Sequence, residues 1–289
     1  MFWFSYSPKR RRKKIRKYFR LIREFWQNIQ TSKFWWKVFR RLKNLLGFGG
    51  IKPFAMDLAI IAYNGDYIVF NKSPATLVHP TKYNEKNTLL NGLLHYLSQN
   101  PGHWDQSMPG PIHRLDRDTS GIVIFALNQA SKSDLSKKMM NHQFQKFYQT
   151  LVTGQTPLQG EINTPLSIAN LDRNYTIIDP ENGKTALTHF RRIAYFPESD
   201  CSLLEIEIFT GRSHQIRVHM QSIGHPVLGD ELYGDQNQNQ LFAQKYGLNR
   251  QFLHAARLKF RDQDQEFTAP LFPDLAQVLH QLESENIPN

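Results

Sequence analysis

The chain has 289 residues, of which 40% are hydrophobic, and this length and composition suffice for a folded core and exclude wholesale disorder. Its single cysteine, Cys201, excludes an intrachain disulfide and favours a reducing compartment, so we expect a cytoplasmic protein. The net charge of +11 is uneven, because residues 1–55 hold 16 Lys or Arg and one acid, Glu24, whereas the remainder holds 20 bases and 24 acids.

The N-terminal segment is basic and amphipathic. Apolar residues recur at helical spacing within residues 9–46, in KRRRKKIRKYFRLIREFWQNI and KFWWKVFRRLKNLL. GFGGIKP (47–53) has the composition of a linker, so we predict an extension over residues 1–55 and a separate domain over 56–289. The basic helices favour binding to RNA phosphates; contact with a membrane surface, organelle targeting and packing on the body are the alternatives.

The next part of the chain predicts strands and turns with few helices. LAIIAYNGDYIVFNK (58–72) places two apolar runs around Asn64–Gly65, which predicts a hairpin. Apolar runs rich in β-branched residues predict further strands at 121–127, 146–154, 185–195, 202–210 and 251–260. Helices are predicted at 88–98, after Ser131 with Asp134, between a Ser213 cap and Gly224, and at 272–284.

Short turns between many strands predict a fold class. The pattern favours a mixed α+β catalytic domain with a mainly antiparallel β-sheet and flanking helices, preceded by the basic helical extension. The Gln/Asn-rich stretch 235–245 is predicted to be a surface loop.

The stretch HRLDRDTSG (113–121) places charged residues at the start of a buried strand. An aspartate in this position, Asp116, is held on a rigid support, as a catalytic group should be. A solvated turn whose acids pair with Arg114 and Arg117 is the simpler interpretation of this stretch taken alone. Asp116 and Asp118 also form an Asp-x-Asp pair, which leaves a metal-dependent glycosyl- or phosphoryl-transferase as an alternative.

Two further clusters carry ionisable groups. KFY places Lys146 and Tyr148 at alternate strand positions, so both side chains point to one face of the sheet. GRSHQIRVH (211–219) places Arg212, His214 and Arg217 around the start of a predicted helix. Cations beside the positive end of a helix dipole are unfavourable unless an anion lies there, which predicts a phosphate or carboxylate partner.

Together these clusters resemble the RluA-like family of RNA pseudouridine synthases. The resemblance runs in order through HRLDRDTSG, KFYQTLVTG, TGRSHQIRVHMQSIGHPVLGDELYG and FLHAARLKF, and covers about residues 57–275. The combination of HRLD with HQIRVH is far more specific than a single short motif. The family commonly has Asn-Lys-Pro where this chain has Ser73 after Asn-Lys.

The resemblance implies an isomerase that breaks the N1–C1′ bond of a uridine in RNA and joins C5 to C1′, with no cofactor and no metal. It implies that Asp116 is the catalytic carboxylate, that Arg217 pairs with it and keeps it charged, and that Tyr148 contacts the uracil. Base flipping is expected, with Arg114 filling the vacated position. Substrate or RNA contacts are further expected from His113, Ile216, Arg212 and His214.

Several points stay open at this stage. The substrate is ribosomal RNA, tRNA or both, and a monomer is the expected state. A catalytically silent RNA-binding protein of the same fold is the alternative function. Whether the carboxylate attacks the sugar or assists loss of the base is not decided by the sequence.

Overall fold

The described part of the chain forms strands, helices and short connections. The computed structural model describes residues 51–81, 86–100, 109–170, 175–262 and 264–286. The two predicted basic helices within residues 9–46 lie outside the described residues, and the boundary at residue 55 stays a prediction. No helix in the described ranges is long and apolar enough to span a membrane.

The strands and helices follow one another closely along these ranges. The strands are β1 (Ile60–Tyr63), β2 (Tyr67–Lys72), β3 (Gly110–Pro111), β4 (Ser120–Ala126), β5 (Phe144–Thr153), β6 (Gln159–Asn163), β7 (Leu166–Asn170), β8 (Tyr175–Ile178), β9 (Leu187–Phe196), β10 (Cys201–Ile208), β11 (Leu253–Phe260) and β12 (Glu266–Thr268). The helices are α1 (Leu89–Gln99), α2 (Gln129–Met140), α3 (Gln215–Ser222), α4 (Gln236–Tyr246) and α5 (Pro273–Glu285), with a 3₁₀ turn at Pro197–Ser199.

Ten of these strands join in one sheet. Its order is β1-β2-β4-β11-β5-β10-β9-β6, with β3 on β4 and β12 on β11, and β7 and β8 form a separate two-stranded sheet. Among the described strands every pairing is antiparallel except that of β4 with β11. The predicted α+β fold with a mainly antiparallel sheet is therefore confirmed, and its one parallel contact lies at the centre.

The parallel pairing of β4 and β11 depends on a glycine. Gly121 lies opposite Ala255 and has a φ of +113°, a backbone angle that residues other than glycine rarely adopt. A Cβ at this position would overlap the backbone of Ala255. Gly121 therefore allows β4 to approach β11 closely, directly after the charged stretch 113–119.

Most local predictions are confirmed. The hairpin around Gly65 joins β1 to β2, and Oδ1 of Asn64 accepts hydrogen bonds from the backbone N–H groups of Asp66 and Tyr67. Helix α1 buries leucines at helical spacing and begins with a capping box between Thr88 and Asn91.

Three local predictions were wrong. The stretch 235–245 is not a loop, because α4 occupies it from Gln236, with Asp235 as its N-cap and Gly247 as its C-cap. Burial of Phe242 in the core stabilises this polar helix. Ser213 is not the cap of α3, because the chain turns at His214, which has φ +53° and no side-chain cap bond.

The third error concerns the start of α2. This helix begins at Gln129, two residues before Ser131, because Asn128 is its N-cap: the Asn128 side chain accepts a hydrogen bond from the N–H of Ser131 and closes a capping box there.

Three clusters of buried side chains stand out in the core of the described ranges. One joins β5 and β10 to α4 and α5, through residues such as Leu151 and Val278. A second lies between β4 and α2, where Leu135 is the one fully buried residue described in that helix. The third packs β7 and Val218 of α3 against Tyr233. The strands that border the predicted site are thus fixed by core packing on several sides.

Candidate active site

A cavity of about 480 Å³ opens between the 113–119 loop, β5 and the start of α3. It is lined by all eight residues for which the sequence predicted a catalytic role or a substrate contact, which are His113, Arg114, Asp116, Tyr148, Arg212, His214, Ile216 and Arg217. Arg117 and Asp118 of the charged stretch do not line it. Three distant segments of the chain therefore converge, as the family resemblance implied.

An ion-pair network forms the inner wall. Nη1 of Arg217 lies 3.0 Å from Oδ2 of Asp116, while its Nε and Nη2 donate to the two carboxylate oxygens of Asp230 at 2.6 and 2.8 Å. Asp230 is fully buried, and 28% of the Asp116 side chain is exposed, toward the cavity. The guanidinium is thus anchored by Asp230 and presents its remaining edge to Asp116.

This network supplies the anionic partner predicted for the basic start of α3. The partner is a pair of carboxylates from the protein, Asp116 and Asp230. Arg217 also lies over the ring of Tyr233, with 5.0 Å from its Cζ to the ring centroid. Hydrogen bonds to both aspartates raise the pKa of Arg217 in spite of its burial. The guanidinium therefore stays charged at any pH at which the protein is folded.

His214 forms a second contact with the carboxylate. Its Nε2 lies 3.9 Å from Oδ1 of Asp116, and its Nδ1 lies 2.9 Å from the hydroxyl of Tyr233, which also accepts the N–H of Thr176. Burial lowers the pKa of His214, with Asp116 opposing the shift and Arg217 adding to it, so the ring is neutral at pH 7. The left-handed backbone at His214 aims the ring into the cavity mouth.

Tyr148 lies in the cavity wall with only 7% of its surface exposed. Burial, and then the negative charge of Asp116, raise the pKa of its hydroxyl far above the usual range. The residue is therefore a neutral phenol that offers a ring face and one O–H to a bound group.

Lys146 and His113 line the same cavity. Burial lowers the pKa of Lys146 to about 8. Burial, and then the positive charge of Lys146, lower the pKa of His113 to about 3. Nε2 of His113 accepts the backbone N–H of Ile124 at 3.3 Å, so this neutral ring supports the strand β4 as well as lining the cavity.

The mouth of the cavity is basic. Arg114 is exposed and donates to the Ser213 hydroxyl at 3.1 Å, so it links the 113–119 loop to the turn before α3. Arg212 is also exposed, and its Nε donates to the carbonyl of Thr185 at 3.0 Å. Ile216 is buried and contributes an apolar patch. Cationic and apolar groups around an opening suit a nucleotide with its phosphates.

The loop that carries Asp116 is anchored by the hydrogen bonds of a buried lysine. Lys72 is fully buried, and its ammonium donates to the carbonyls of Ser73, Thr76 and Arg117 at 2.8, 2.8 and 2.9 Å. Burial lowers the pKa of Lys72 to about 7, with Asp118 opposing this shift. This lysine therefore ties the backbone next to Asp116 to the end of β2.

The next three residues, of which Ser120 begins β4, are held by side chains from β11 and from the segment that leads into it. Arg250 donates to the carbonyl of Asp118 at 2.9 Å, and Gln251 donates to the Thr119 hydroxyl at 2.7 Å. The Ser120 hydroxyl lies 2.9 Å from Nδ1 of His254, whose Nε2 contacts the carbonyl of Ala269. Each residue from 117 to 120 is thus held by a hydrogen bond from a side chain elsewhere in the chain.

Sequence reasoning missed the supporting residues Asp230, Tyr233 and Lys72. Asp230 and Tyr233 lie in VLGDELYG, which belongs to the recognised motifs, but nothing in the spacing relates them to Arg217. Within the described ranges, no group of three or more His, Cys, Asp or Glu side chains is arranged to hold a metal ion.

Comparisons with known proteins agree with this geometry. The sequence profile of a family described as RNA pseudouridylate synthase matches residues 66–222. Ribosomal large subunit pseudouridine synthase D of Zymomonas mobilis is 37% identical over 212 residues, which are 72% of this chain and 66% of that protein. The protein of the same description from Yersinia pestis is 32% identical over 243 residues, 81% of this chain and 73% of that protein.

A solved structure shares the fold. Human RNA pseudouridylate synthase domain containing 4 superposes with a TM-score of 0.63 at 21% identity, over 78% of this chain and 93% of that one. The chain spans just under two thirds of the Zymomonas protein. The family match, the identities and the converging motifs together show that the chain belongs to the RNA pseudouridylate synthases, a family of isomerases that convert uridine in RNA to pseudouridine.

Proposed function

We propose that this chain isomerises uridine in RNA to pseudouridine, with Asp116 as the nucleophile. The observation that carries the proposal is the 3.0 Å contact between Asp116 and Arg217 in the wall of a cavity also lined by Tyr148. The carboxylate attacks C1′ as the N1–C1′ bond breaks, and the bond pair leaves with the uracil. The detached ring turns, and C5 bonds to C1′ with release of the carboxylate. The C5 proton then passes to solvent while N1 takes up a proton from solvent, so the product is an isomer of the substrate.

The residues around Asp116 have matching tasks in this proposal. Arg217 holds the carboxylate charged and fixed, and its own orientation is set by Asp230. The ring of Tyr148 stacks on the uracil, and its neutral hydroxyl donates a hydrogen bond. A uridine inside folded RNA must leave its stack to reach the cavity, and Arg114 at the mouth fills the vacated position.

Large-subunit ribosomal RNA is the proposed substrate. The relatives from Zymomonas mobilis and Yersinia pestis are described as ribosomal large subunit enzymes, and tRNA is the second candidate. The test maps pseudouridines in ribosomal RNA and tRNA from cells with and without the gene. A pseudouridine in large-subunit ribosomal RNA that disappears without the gene and returns with the wild-type gene supports the proposal. An unchanged pseudouridine map favours the silent RNA-binding protein instead.

We further propose that residues 1–50 bind RNA, because their Lys and Arg carry the positive charge of the chain. Removing them should weaken RNA binding and flatten its dependence on salt, measured by titration of labelled RNA at several salt concentrations. An unchanged affinity of the truncated chain for RNA would contradict this proposal. Binding of the intact chain to anionic vesicles that is lost on truncation, with RNA binding retained, would favour the membrane-surface alternative. We also propose that the protein is cytoplasmic, since the free thiol of Cys201 suits a reducing compartment. A monomer is the proposed oligomeric state.

A further inference from the structure

Lys146 is the one lysine that lines the cavity within the described ranges. It occupies β5 two positions before Tyr148, so both side chains face the same side of the sheet. Its neighbours across the strands are Ile208 of β10 and Leu258 of β11, which are apolar. A cation in these surroundings has lost much of its hydration, and burial lowers its pKa accordingly.

The ammonium group of Lys146 makes no hydrogen bond or ion pair with any residue of the described ranges. Its surroundings are the neutral His113, on whose pKa it acts, and Gly211, where a Cβ would lie 3.9 Å from Nζ. The buried Lys72 differs in this respect, since its ammonium donates to three backbone carbonyls. A half-buried cation that faces a cavity without a protein acceptor suits an acceptor on a ligand.

The spacing along β5 places this cation at the far end of a bound base. Residues two apart on one strand face are separated by about 7 Å, the span of one pyrimidine with its exocyclic oxygens. Tyr148 is close enough to Asp116 for that carboxylate to raise its pKa, and Lys146 lies two positions away from Tyr148 on the same face of β5. A uracil with its C1′ at Asp116 and its ring on Tyr148 therefore points its distal edge toward Lys146.

We propose that Lys146 is a catalytic residue that donates a hydrogen bond to an exocyclic oxygen of the uracil and stabilises its negative charge after the N1–C1′ bond breaks. This inference rests on the proposed function. The bond pair that leaves C1′ is delocalised from N1 onto O2 and O4 of the ring. The ammonium group keeps its proton throughout, so it contributes electrostatic stabilisation and no proton transfer.

The central test compares Lys146→Met with wild type on one RNA substrate. Turnover should fall by about 100-fold, the effect of removing one preorganised donor, while the dissociation constant for RNA stays within about twofold. Lys259→Met is the matched control, because Lys259 lies on the neighbouring strand β11 one position past Leu258 and faces the other side of the sheet. Its turnover should equal that of wild type.

A substrate with a better leaving group separates a catalytic role from a structural one. Fluorine at C5 withdraws electrons and stabilises the uracil anion, so the Lys146→Met defect in N1–C1′ cleavage should shrink by about tenfold or more on RNA that carries 5-fluorouridine at the target. A defect of the same size on both RNAs would indicate a structural role and overturn the proposal.

The dependence of the rate on pH provides a second readout. Lys146 is charged below a pKa of about 8, so its contribution should be lost as the pH rises through that value. The other ionisable groups that line the cavity are Asp116, Tyr148, three histidines (113, 142 and 214) and three arginines (114, 212 and 217). Of these, Tyr148 and Arg217 have pKa values raised above their usual ranges, and His113 and His214 have pKa values lowered by burial.

Lys146→Arg keeps a positive charge above pH 8. It should therefore recover part of the rate and extend the active range to higher pH, whereas Lys146→Met should lack the alkaline decline near pH 8. A rate that rises through pH 8 in wild type and not in Lys146→Met would show that the neutral amine acts as a base, and would overturn the proposal. Wild-type turnover in Lys146→Met beside an inactive Asp116→Asn would refute this inference alone and leave the proposed function standing.

Discussion

The substitution Asp230→Asn tests the anchor of Arg217. In the native protein, Oδ1 of Asp230 accepts Nη2 of Arg217 and the N–H groups of Leu232 and Tyr233, while Oδ2 lies 2.6 Å from Nε of Arg217. Asparagine preserves the Oδ1 contacts but turns an amide N–H₂ toward the Nε–H of Arg217. Two donors then oppose each other in a site from which water is excluded.

The expected cost follows from burial. Asp230 is fully buried and the Arg217 side chain is 8% exposed, and removing one partner of such a pair costs about 3–5 kcal/mol. Because Asp116 still compensates part of the guanidinium charge, we expect the low end, about 3 kcal/mol. The melting temperature should fall by about 6–12 °C for a folded unit of this size. Arg217 should also lose its fixed orientation, so turnover should drop by more than about tenfold.

Urea unfolding followed by circular dichroism measures the stability, and pseudouridine formation measures the turnover. Glu207→Gln is the matched control, since it removes the carboxylate of an arginine pair at 3.1 Å in which Arg261 is 42% exposed. That variant should lose less than about 1 kcal/mol and keep its turnover. Equal losses in Asp230→Asn and Glu207→Gln would refute the claim that the buried carboxylate anchors Arg217.

Three further substitutions have defined outcomes. Gly121→Ala should destabilise the fold by more than about 2 kcal/mol in urea unfolding, because the added Cβ overlaps the backbone of Ala255 and the φ of +113° is strained for alanine; wild-type stability would contradict the close-approach argument. Lys72→Met leaves buried carbonyls without a donor, including that of Arg117, and should cost about 2 kcal/mol in urea unfolding and slow turnover; unchanged turnover would show that this lysine does not position the loop. Tyr148→Phe keeps the ring, so the dissociation constant for RNA should stay within about twofold while turnover falls by at least about tenfold, and equal turnover would remove the hydroxyl from the mechanism.

The sequence predicts the site well because its chemistry lies in short contiguous motifs. HRLDRDTSG, KFY and GRSHQIRVH each carry recognisable residue types, and all the predicted site residues line one cavity. The roles assigned to Asp116, Tyr148 and Arg217 stay predictions until variants are measured.

The residues that support the site could not be predicted, because they act over long distances in sequence. Lys72 holds a carbonyl 45 positions away, and Arg250 holds one 132 positions away. The parallel pairing of β4 with β11 has the same origin, since no local pattern relates strands so far apart. These contacts are products of tertiary packing and leave no periodic signal.

The missed helix α4 has a different cause. Its residues are mostly Gln and Asn, so it lacks the apolar stripe that indicates a helix, and Phe242 and Tyr246 are its two buried residues in the structure. The terminal signals were nevertheless present. Asp235 caps the N-terminus and Gly247 adopts the left-handed conformation at the other end. Capping residues would have predicted this element where hydrophobic periodicity did not.

The most direct measurement is the rate of pseudouridine formation by purified wild type and Asp116→Asn on the same target RNA. Both proteins should give the same circular dichroism spectrum and bind the RNA equally. Wild type should convert the target uridine without any added cofactor, and Asp116→Asn should be slower by about 1,000-fold or more. Conversion by Asp116→Asn at a rate close to that of wild type would contradict the assignment of this carboxylate as the nucleophile.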